Sequence, residues 1–308
     1  MKNSVLIATP AYGGLLHSNY VKSVVLTCNE LAMRGIPHGL YIIPDESLIS
    51  RGRNRCAAFA LQRGFEKLLF IDADLGWTLD DIQAILNSDK LLVGGTYPIK
   101  QLSPSRLSYN PIEEFTPPAH IHPRSYEELQ YLKTNFAEPE TGEVVVRHVP
   151  TGFMLIDCSI LKDLQAFVPS YQQNNSETGK MEKHHDYFPV RLVGETYESE
   201  DWAFCSLVRE HLDCGVWLNT NVVLNHTGTF TFTGVAPGQH SIRAELVDAG
   251  HQPIGTPESL DEVAFTVSGS ASGLPSAGLV LHLESDVGVT APGGTVTGWS
   301  DQSSQGND

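Results

Sequence analysis

The regular alternation of short apolar runs with helical patterns over the first 95 residues most constrains the fold. The β-rich runs lie at 5–9, 39–43, 67–71 and 91–95, and the helical patterns at 18–34, at 50–63 and after residue 78. Gly64 is suited to end the second helix, and Thr78 to cap the third, which has Asp80 and Asp81 in its first turn. Strands and helices that alternate in this way build a mostly parallel sheet covered on both faces. The sequence therefore predicts an α/β fold.

The pattern weakens after residue 98 into polar and Pro-rich loops, which are long for a compact domain and are often functional. One helix is expected near 125–132, strands at 144–149 and 152–157, and a helix with an acidic first turn at 200–212. These segments extend the same α/β domain.

Composition excludes several classes of protein. The chain has 308 residues and a formal charge of -16, with 20 Lys and Arg against 36 Asp and Glu. This acidic balance argues against a general nucleic-acid or anionic-membrane binder, which needs a basic face. The first apolar run is too short for a signal peptide, and there is no apolar stretch of 18 residues, so we expect no transmembrane segment and a cytoplasmic location. The five cysteines, an odd number without a C-x-x-C pair, are expected to be free thiols.

Two carboxylates follow the third apolar run, in the segment LLFIDADLGW. Asp72 and Asp74 are spaced i and i+2 directly after a predicted strand, where ligands bind in open parallel sheets. Carboxylates suit Mg²⁺ or Mn²⁺, which can bridge a protein to a diphosphate. The alternative is that both acids cap the helix that begins near Thr78.

With this motif the chain resembles glycosyltransferases of the GT-A fold, similar to family 2-like enzymes and their viral, bacteriophage and bacterial relatives. The resemblance covers about residues 4 to 231 and implies a nucleoside-diphosphate sugar donor, UDP- or GDP-linked, and a glycan or other hydroxyl acceptor. It implies a hexosyltransferase-like enzyme that uses Mn²⁺ or Mg²⁺. The implied donor-binding residues are Thr9, Pro10, Ala11, Tyr12 (stacked on the base), Asp45, Arg51, Arg53, Asn54, Asp72 and Ala73.

Later motifs complete the resemblance. The segment PTGFMLID places Gly152 on the acceptor side, and YESEDWAFC places Trp202 there as well. In the same segment Asp201, or its neighbour Glu200, is implied as the base of an inverting reaction, and VVLNHTGTF supplies His226. The implied metal ligands are Asp72, Asp74 and His226. A Gln-x-x-Arg-Trp motif of processive synthases is missing, so polymer synthesis is not expected.

Several alternatives remain open at this stage. Glu200 and Asp201 also suit a helix N-terminus through the helix dipole, His226 could be a solvated loop residue, and the arginines of 51–55 could form a solvated helix face. The pairs His120/His122 and His184/His185 lack a third ligand with suitable spacing, which favours surface histidines over zinc. A nucleotidyltransferase acting on sugar phosphates would share the nucleotide-binding sheet and the metal, although residues 8–16 carry no Lys or Arg. A non-catalytic carbohydrate-binding or adhesion protein is the remaining alternative.

The composition changes beyond about residue 231, where Lys, Cys and Met no longer occur. Alternating stretches at 240–247 and 262–267 resemble strands of an immunoglobulin-like sandwich, and the last thirty residues resemble the opening strands of a concanavalin-like lectin. We therefore expect a GT-A domain at 1–231, an immunoglobulin-like β fragment at 232–268, a linker at 269–278 and an incomplete lectin-like β segment at 279–308.

Overall fold

A computed structural model describes residues 4–100, 106–174, 179–227, 238–245, 260–267, 289–290 and 298–299. The chain divides into two compact units, Met1–Thr227 and Gly228–Asp308. Within the described residues no helix combines the length and the apolar character needed to cross a bilayer.

The first unit contains the alternating elements that the sequence predicts. Its helices are α1 (Ser18–Met33), α2 (Ile49–Arg63), α3 (Leu79–Leu86), α4 (Tyr126–Asn135), α5 (Cys158–Leu164) and α6 (Glu200–His211). Its strands are β1 (Val5–Pro10), β2 (His38–Ile43), β3 (Lys67–Ile71), β4 (Leu75–Gly76), β5 (Leu92–Thr96), β6 (Asn110–Pro111), β7 (Glu143–His148), β8 (Phe153–Asp157), β9 (Ser170–Asn174), β10 (Met181–His185), β11 (Arg191–Val193), β12 (Thr196–Glu198), β13 (Val216–Val223) and β14 (Asn225–His226).

Eight of these strands form one sheet in the order β2-β1-β3-β8-β5-β13-β7-β6. Strand β1 is parallel to β2 and β3, and β13 is parallel to β5. Strand β8 lies between β3 and β5 and runs antiparallel to both, so β3 and β5 point in the same direction. The predicted α/β class, with a mostly parallel sheet flanked by helices, is confirmed.

The sheet separates two apolar cores because side chains alternate between its faces. On β3, Leu68 and Phe70 pack in the core that contains residues of α2, α4, α5 and α6. Leu69 and Ile71 on the same strand pack against residues of α1 and α3. All four side chains are fully buried, as expected for a central strand covered on both faces.

The local signals that bound the helices act as the sequence predicts. Gly64 ends α2 in the left-handed conformation, with φ of 72°, which glycine adopts without strain. Thr78 and Asp81 form a capping box at the start of α3. The alternative in which Asp72 and Asp74 cap this helix is therefore wrong.

The second unit contains two antiparallel strand pairs among its described residues. Strand β15 (Gly238–Glu245) pairs with β16 (Leu260–Val267), and β17 (Val289–Thr290) pairs with β18 (Gly298–Trp299). Residues 269–278, predicted as a linker, lie outside the described residues, and the predicted division of this part into three segments stays a prediction.

Candidate functional site

The turn that carries Asp72, Ala73 and Asp74 follows β3 and is held by main-chain hydrogen bonds from three other segments. The Asp72 amide donates to the Gly152 carbonyl at 2.9 Å, before β8. The amide of His17 donates to the Ala73 carbonyl at 3.0 Å, and that of Thr227 to the Asp74 carbonyl at 2.9 Å. The turn therefore has a fixed position at the carboxyl edge of the parallel strands, where the sequence predicts the site.

Asp72 belongs to a group around a buried guanidinium that we call the inner cluster, formed by Arg53, Asp72, Tyr97 and Glu200. Arg53 of α2 donates from Nη2 to Asp72 Oδ1 at 3.0 Å and from Nε to Glu200 Oε1 at 3.3 Å. The guanidinium is 3% exposed and lies over the Phe70 ring, 5.2 Å from its centroid. Burial lowers the pKa of Arg53, but the charges of Asp72 and Glu200 outweigh it and raise the net value. One buried cation thus joins the end of β3 to the start of α6.

Tyr97, directly after β5, completes the inner cluster, and it packs against the backbone of Gly152, directly before β8. A Cβ atom at Gly152 would lie 2.1 Å from the Tyr97 hydroxyl oxygen and 2.9 Å from Asp72 Oδ2. Only glycine therefore allows these two side chains to approach this backbone. Burial and the nearby charge of Asp72 raise the pKa of Tyr97 well above its usual value, so the phenol stays protonated.

Asp74 belongs to a second group, the outer cluster, formed by Asp74, Lys100 and His226, whose cation is partly exposed. The Lys100 ammonium forms an ion pair with Asp74 Oδ2, and His226 Nε2 lies 3.5 Å from the same oxygen. His226 Nδ1 is 2.7 Å from the Pro98 carbonyl oxygen, and its ring packs edge-on against Tyr97. Burial raises the pKa of Asp74, but the hydrogen bonds of His226 and Lys100 outweigh it, so its net pKa lies well below the usual value.

The histidine of the outer cluster is oriented as a metal ligand would be. A carbonyl oxygen only accepts hydrogen bonds, so Nδ1 of His226 carries the proton that bonds Pro98. A divalent cation would displace the proton from Nε2, whose lone pair would then lie on the side of Asp74. A carboxylate oxygen beside an imidazole lone pair fits a divalent cation such as Mn²⁺, and a carbonyl partner on the other nitrogen is typical of ligating histidines.

The structure does not gather the three expected metal ligands into one group. Asp72 is directed to Arg53, while Asp74 and His226 lie together. Across the described ranges no three or more His, Cys, Asp or Glu side chains are arranged to hold a metal ion. Of the three expected ligands, only Asp74 and His226 lie together, because Asp72 is already paired with the buried guanidinium of Arg53.

Asp201 lies at the first turn of α6, on the side expected for the acceptor. Its Oδ1 accepts hydrogen bonds from the Ser199 hydroxyl and, at 2.9 Å, from the Trp202 amide. Burial, followed by the charge of Glu200, raises the pKa of Asp201. A carboxyl group whose pKa is raised by its surroundings is a stronger base than an exposed aspartate, as general-base chemistry requires.

Trp202, expected on the acceptor side, stacks on His148 with ring centroids 4.9 Å apart and an interplanar angle of 1°. His148 Nε2 lies 3.2 Å from the Ser206 hydroxyl, which donates to Glu198 at 2.9 Å. Burial lowers the pKa of His148 to about 4. This buried network fixes the Trp202 ring next to Asp201.

The expected donor side is only partly available to a ligand. Thr9 is fully buried, and its hydroxyl bonds that of Tyr20 at 2.6 Å. Asn54 is also buried, where its amide donates to Asp186 at 2.8 Å and its oxygen accepts from the Phe188 amide. The expectation that these two side chains bind the donor is not supported, because each has a partner inside the protein.

Other expected donor residues lie at the surface. Tyr12 is 73% exposed in a short 3-10 turn after β1, beside the half-buried Pro10 and the buried Ala11. Asp45 is paired with Arg55 at 3.1 Å. Arg51 donates to the buried Glu46, from Nη2 at 2.7 Å. The arginines of α2 do not form a solvated face as one alternative held, because the Arg53 and Arg55 residues are buried and all three form ion pairs.

Sequence reasoning missed Tyr97 and Lys100, although a signal existed. Both residues follow β5, whose carboxyl end lies on the same edge of the sheet as that of β3. Sequence reasoning also placed His184 at the surface, whereas it is 2% exposed and its Nε2 lies 3.5 Å from Glu182. His120 and His122 are exposed, as predicted.

No family model matches the sequence, and no curated protein matches it significantly. Solved structures do match. The chain is similar to protein A197 from STIV, with 14% identity over 73% of this chain and 85% of the other, and a TM-score of 0.41. It is similar to a glycosyltransferase involved in glycosylation of the major capsid of PBCV-1, with 12% identity over 53% of this chain and 64% of the other, and a TM-score of 0.27.

A third match is S. aureus TarS 1-349 in complex with UDP, with 11% identity over 73% of this chain and 61% of the other, and a TM-score of 0.35. The chain thus spans less than two thirds of the PBCV-1 and TarS structures. A glycosyltransferase is among the matched structures, as the resemblance in the sequence led us to expect.

Proposed function

We propose that this chain transfers a sugar from a nucleoside-diphosphate sugar to a hydroxyl acceptor, with inversion at the anomeric carbon. The observation that carries the proposal is the convergence of two kinds of group at one edge of the sheet. Asp74 and His226 form a pair suited to a divalent cation, and Asp201 is a carboxyl group with a raised pKa. A hexosyl group is the natural first donor sugar to test.

The outer cluster is the proposed place of the donor diphosphate. Asp74 and His226 Nε2 would hold Mn²⁺ or Mg²⁺, which when bound neutralises the charge that builds on the departing diphosphate. Tyr12 is exposed at the end of β1 and offers a ring on which the base can stack, and Asp45 after β2 is the proposed partner of the ribose or base. UDP is the first nucleotide to test, since the TarS structure contains it.

Asp201 is proposed to act on the acceptor. Both described hydrogen bonds to this carboxylate end on Oδ1, so Oδ2 is the oxygen that takes the proton of the acceptor hydroxyl. The acceptor oxygen then bonds the anomeric carbon as the bond from that carbon to the diphosphate breaks, and the electron pair leaves with the diphosphate oxygen. Ser199 and Trp202 fix the orientation of the base during this step. The half-buried Trp202 and the backbone at Gly152 are the proposed acceptor side.

The test is an assay of the full chain with UDP- and GDP-sugars, Mn²⁺ and a panel of glycans. We expect release of nucleoside diphosphate that depends on the acceptor, and a loss of this activity in Asp74→Asn but not in Asp80→Asn, an exposed acid in the first turn of α3. Release of pyrophosphate from a nucleoside triphosphate and a sugar phosphate would instead identify a nucleotidyltransferase. Donor affinity that is equal with and without Mn²⁺, in wild type and in Asp74→Asn, would contradict the metal assignment.

A further inference from the structure

A cation of the protein already occupies the carboxylate that the donor metal would use. The ammonium of Lys100 forms an ion pair with Asp74 Oδ2, the oxygen that also faces His226 Nε2. A lysine ammonium is a compact charge, and it binds a carboxylate in the same region as a metal ion would. The side chain of Lys100 is 45% exposed, whereas that of Asp74 is 24% exposed, so the cation lies on the open side of the pair.

Lys100 and the metal-facing histidine are connected through one short segment. Pro98 accepts the hydrogen bond that orients His226, and Lys100 follows two residues later. The Ile99 amide between them donates to the Arg106 carbonyl at 2.7 Å. The segment is therefore anchored at Pro98 and Ile99, while the lysine side chain extends from it to Asp74 through four flexible methylene groups.

We propose that the Lys100 ammonium is the resident cation of Asp74, and that a divalent cation binds the Asp74 and His226 pair only when Lys100 withdraws. This inference rests on the metal site of the proposed function. Two cations on one carboxylate would lie within a few ångströms of each other, where like charges repel strongly. With the metal bound, the released ammonium remains at the mouth of the site, where the negative diphosphate attracts it. Lys100 is then both a competitor of the free metal and a ligand of the donor.

The exchange is possible in the outer cluster because its cation is exposed. Arg53, the cation of the inner cluster, is 3% exposed and bound to two carboxylates at once, so it has no path to solvent, and its withdrawal would leave both carboxylates without this partner. Lys100 has water on one side and one described carboxylate partner. Its ion pair with Asp74 is of the kind that contributes little net free energy, because solvent replaces the partner.

The first experiment measures Mn²⁺ binding directly on the full chain, by the electron paramagnetic resonance signal of free Mn²⁺. Lys100→Met removes the charge and keeps an unbranched side chain, and we expect Mn²⁺ to bind at least about tenfold more tightly than to wild type, a change of about 1.4 kcal/mol. Lys100→Arg retains the charge and should stay close to wild type. Lys90→Met is the matched control, because Lys90 is also paired with carboxylates but lies before β5, at the end of the strand opposite to Lys100.

A second experiment needs no variant. The rate of acetylation of Lys100 by an amine reagent is measured by mass spectrometry with and without saturating Mn²⁺, and Lys90 serves as the internal control. We expect Mn²⁺ to raise the rate at Lys100 alone, because the ammonium is released from Asp74.

The outcomes separate this inference from the proposed function. Mn²⁺ binding that is lost in Asp74→Asn but unchanged in Lys100→Met, together with an unchanged acetylation rate, overturns the exchange and leaves the proposed metal site intact. Binding that appears only in Lys100→Met supports the exchange in its strongest form. An absence of binding in every variant overturns both the exchange and the metal site, while sugar transfer in the presence of EDTA would show that the transferase proposal stands without them.

Discussion

The inner and outer clusters place two carboxylates of one turn in opposite situations. Asp72 is neutralised by Arg53, a buried guanidinium on a helix that also bonds Glu200. Asp74, two residues later, is neutralised by Lys100, a half-exposed ammonium on a loop. The first carboxylate contributes to holding β3, α2 and α6 together, and the second is available for exchange. The two acids of the Asp-x-Asp motif thus differ in their partners: Asp72 bonds a buried arginine, and Asp74 bonds an exposed lysine and faces the proposed metal.

The largest effect we expect is on turnover, and it distinguishes the two acids of α6, Asp201 as the proposed base and Glu200 as a structural partner of Arg53. Asp201→Asn should lower turnover by about 10² to 10⁴ and leave donor affinity almost unchanged, because a general base acts only on the acceptor. Glu200→Gln should instead lower the free energy of unfolding, since Glu200 holds Arg53. Steady-state kinetics and donor binding on both variants test this. Equal turnover in wild type and Asp201→Asn would favour a retaining mechanism without this base.

The second prediction compares the two cations directly. Arg53→Met should lower the free energy of unfolding by about 3 kcal/mol, the lower end for a broken buried pair, because the guanidinium is buried whereas Asp72 and Glu200 are partly exposed. Lys100→Met should lower it by at most about 1 kcal/mol, since this pair is partly exposed. Urea unfolding followed by tryptophan fluorescence reports mainly on the first unit, which contains Trp77, Trp202 and Trp217. Similar losses in the two variants would remove the distinction between the clusters.

The third prediction uses the pH dependence of stability to distinguish the buried network of His148, Ser206 and Glu198 from the outer cluster. The pKa of His148 falls from 6.5 to about 4 on folding, so the unfolded chain binds the proton more tightly. Stability is therefore fully present above pH 6.5 and falls as the pH drops toward 4, by on the order of 3 kcal/mol. Asp74, whose pKa is lowered by folding, loses its contribution only at more acidic pH, below its ordinary value of 3.8.

The measurement is the urea midpoint between pH 7.5 and 4.5 for wild type and His148→Gln, which keeps a hydrogen-bonding side chain. The variant should lose less stability over this range. His184, whose pKa is also lowered by burial, contributes in the same direction and gives a residual slope that His184→Gln would reduce. If the urea midpoint of His148→Gln changed with pH as steeply as that of wild type, the wild-type imidazole of His148 would not be buried in its neutral form.

The smallest effect concerns the start of α3. Thr78→Ala removes the hydroxyl that accepts from the Asp81 amide and should cost about 1 kcal/mol. Asp74→Asn should leave the helix cap unaffected, because Asp74 takes no part in it. Circular dichroism during thermal unfolding compares the two. A larger loss in Asp74→Asn than in Thr78→Ala would reopen the capping role of the acids.

Local signals predicted most of the framework. Helices α1, α2 and α6 begin and end within one residue of the positions expected from capping and periodicity, and β3 has the expected bounds. The direction of β8 was not predicted, since the apolar pattern of a buried strand is the same in both directions. Its antiparallel placement between β3 and β5 brings Gly152, at its beginning, to the ends of the other two strands.

The position of Lys100 after β5 indicated the right edge of the sheet, but which side chains pair with each other there could not be derived from the sequence. Lys100 and Asp74 are 26 residues apart, and His226 and Pro98 are 128 residues apart. These contacts depend on strand order, which periodicity does not determine. The interior position of Asn54 was not foreseen for a related reason: α2 is buried on most of its surface, so a side chain that looks available to a ligand is used inside the protein.

The main-chain bonds around the Asp72–Ala73–Asp74 turn have a consequence for how this site can change over time. Three carbonyl and amide contacts, to Gly152, His17 and Thr227, hold the turn without help from any side chain of the three residues. A replacement at 73 or 74 therefore inherits the same backbone position, whereas one at 72 would also remove a partner of the buried Arg53. Backbone contacts fix where the turn lies, and its side chains determine what it binds. A single substitution in the turn can therefore change the ligand preference without rearranging the sheet.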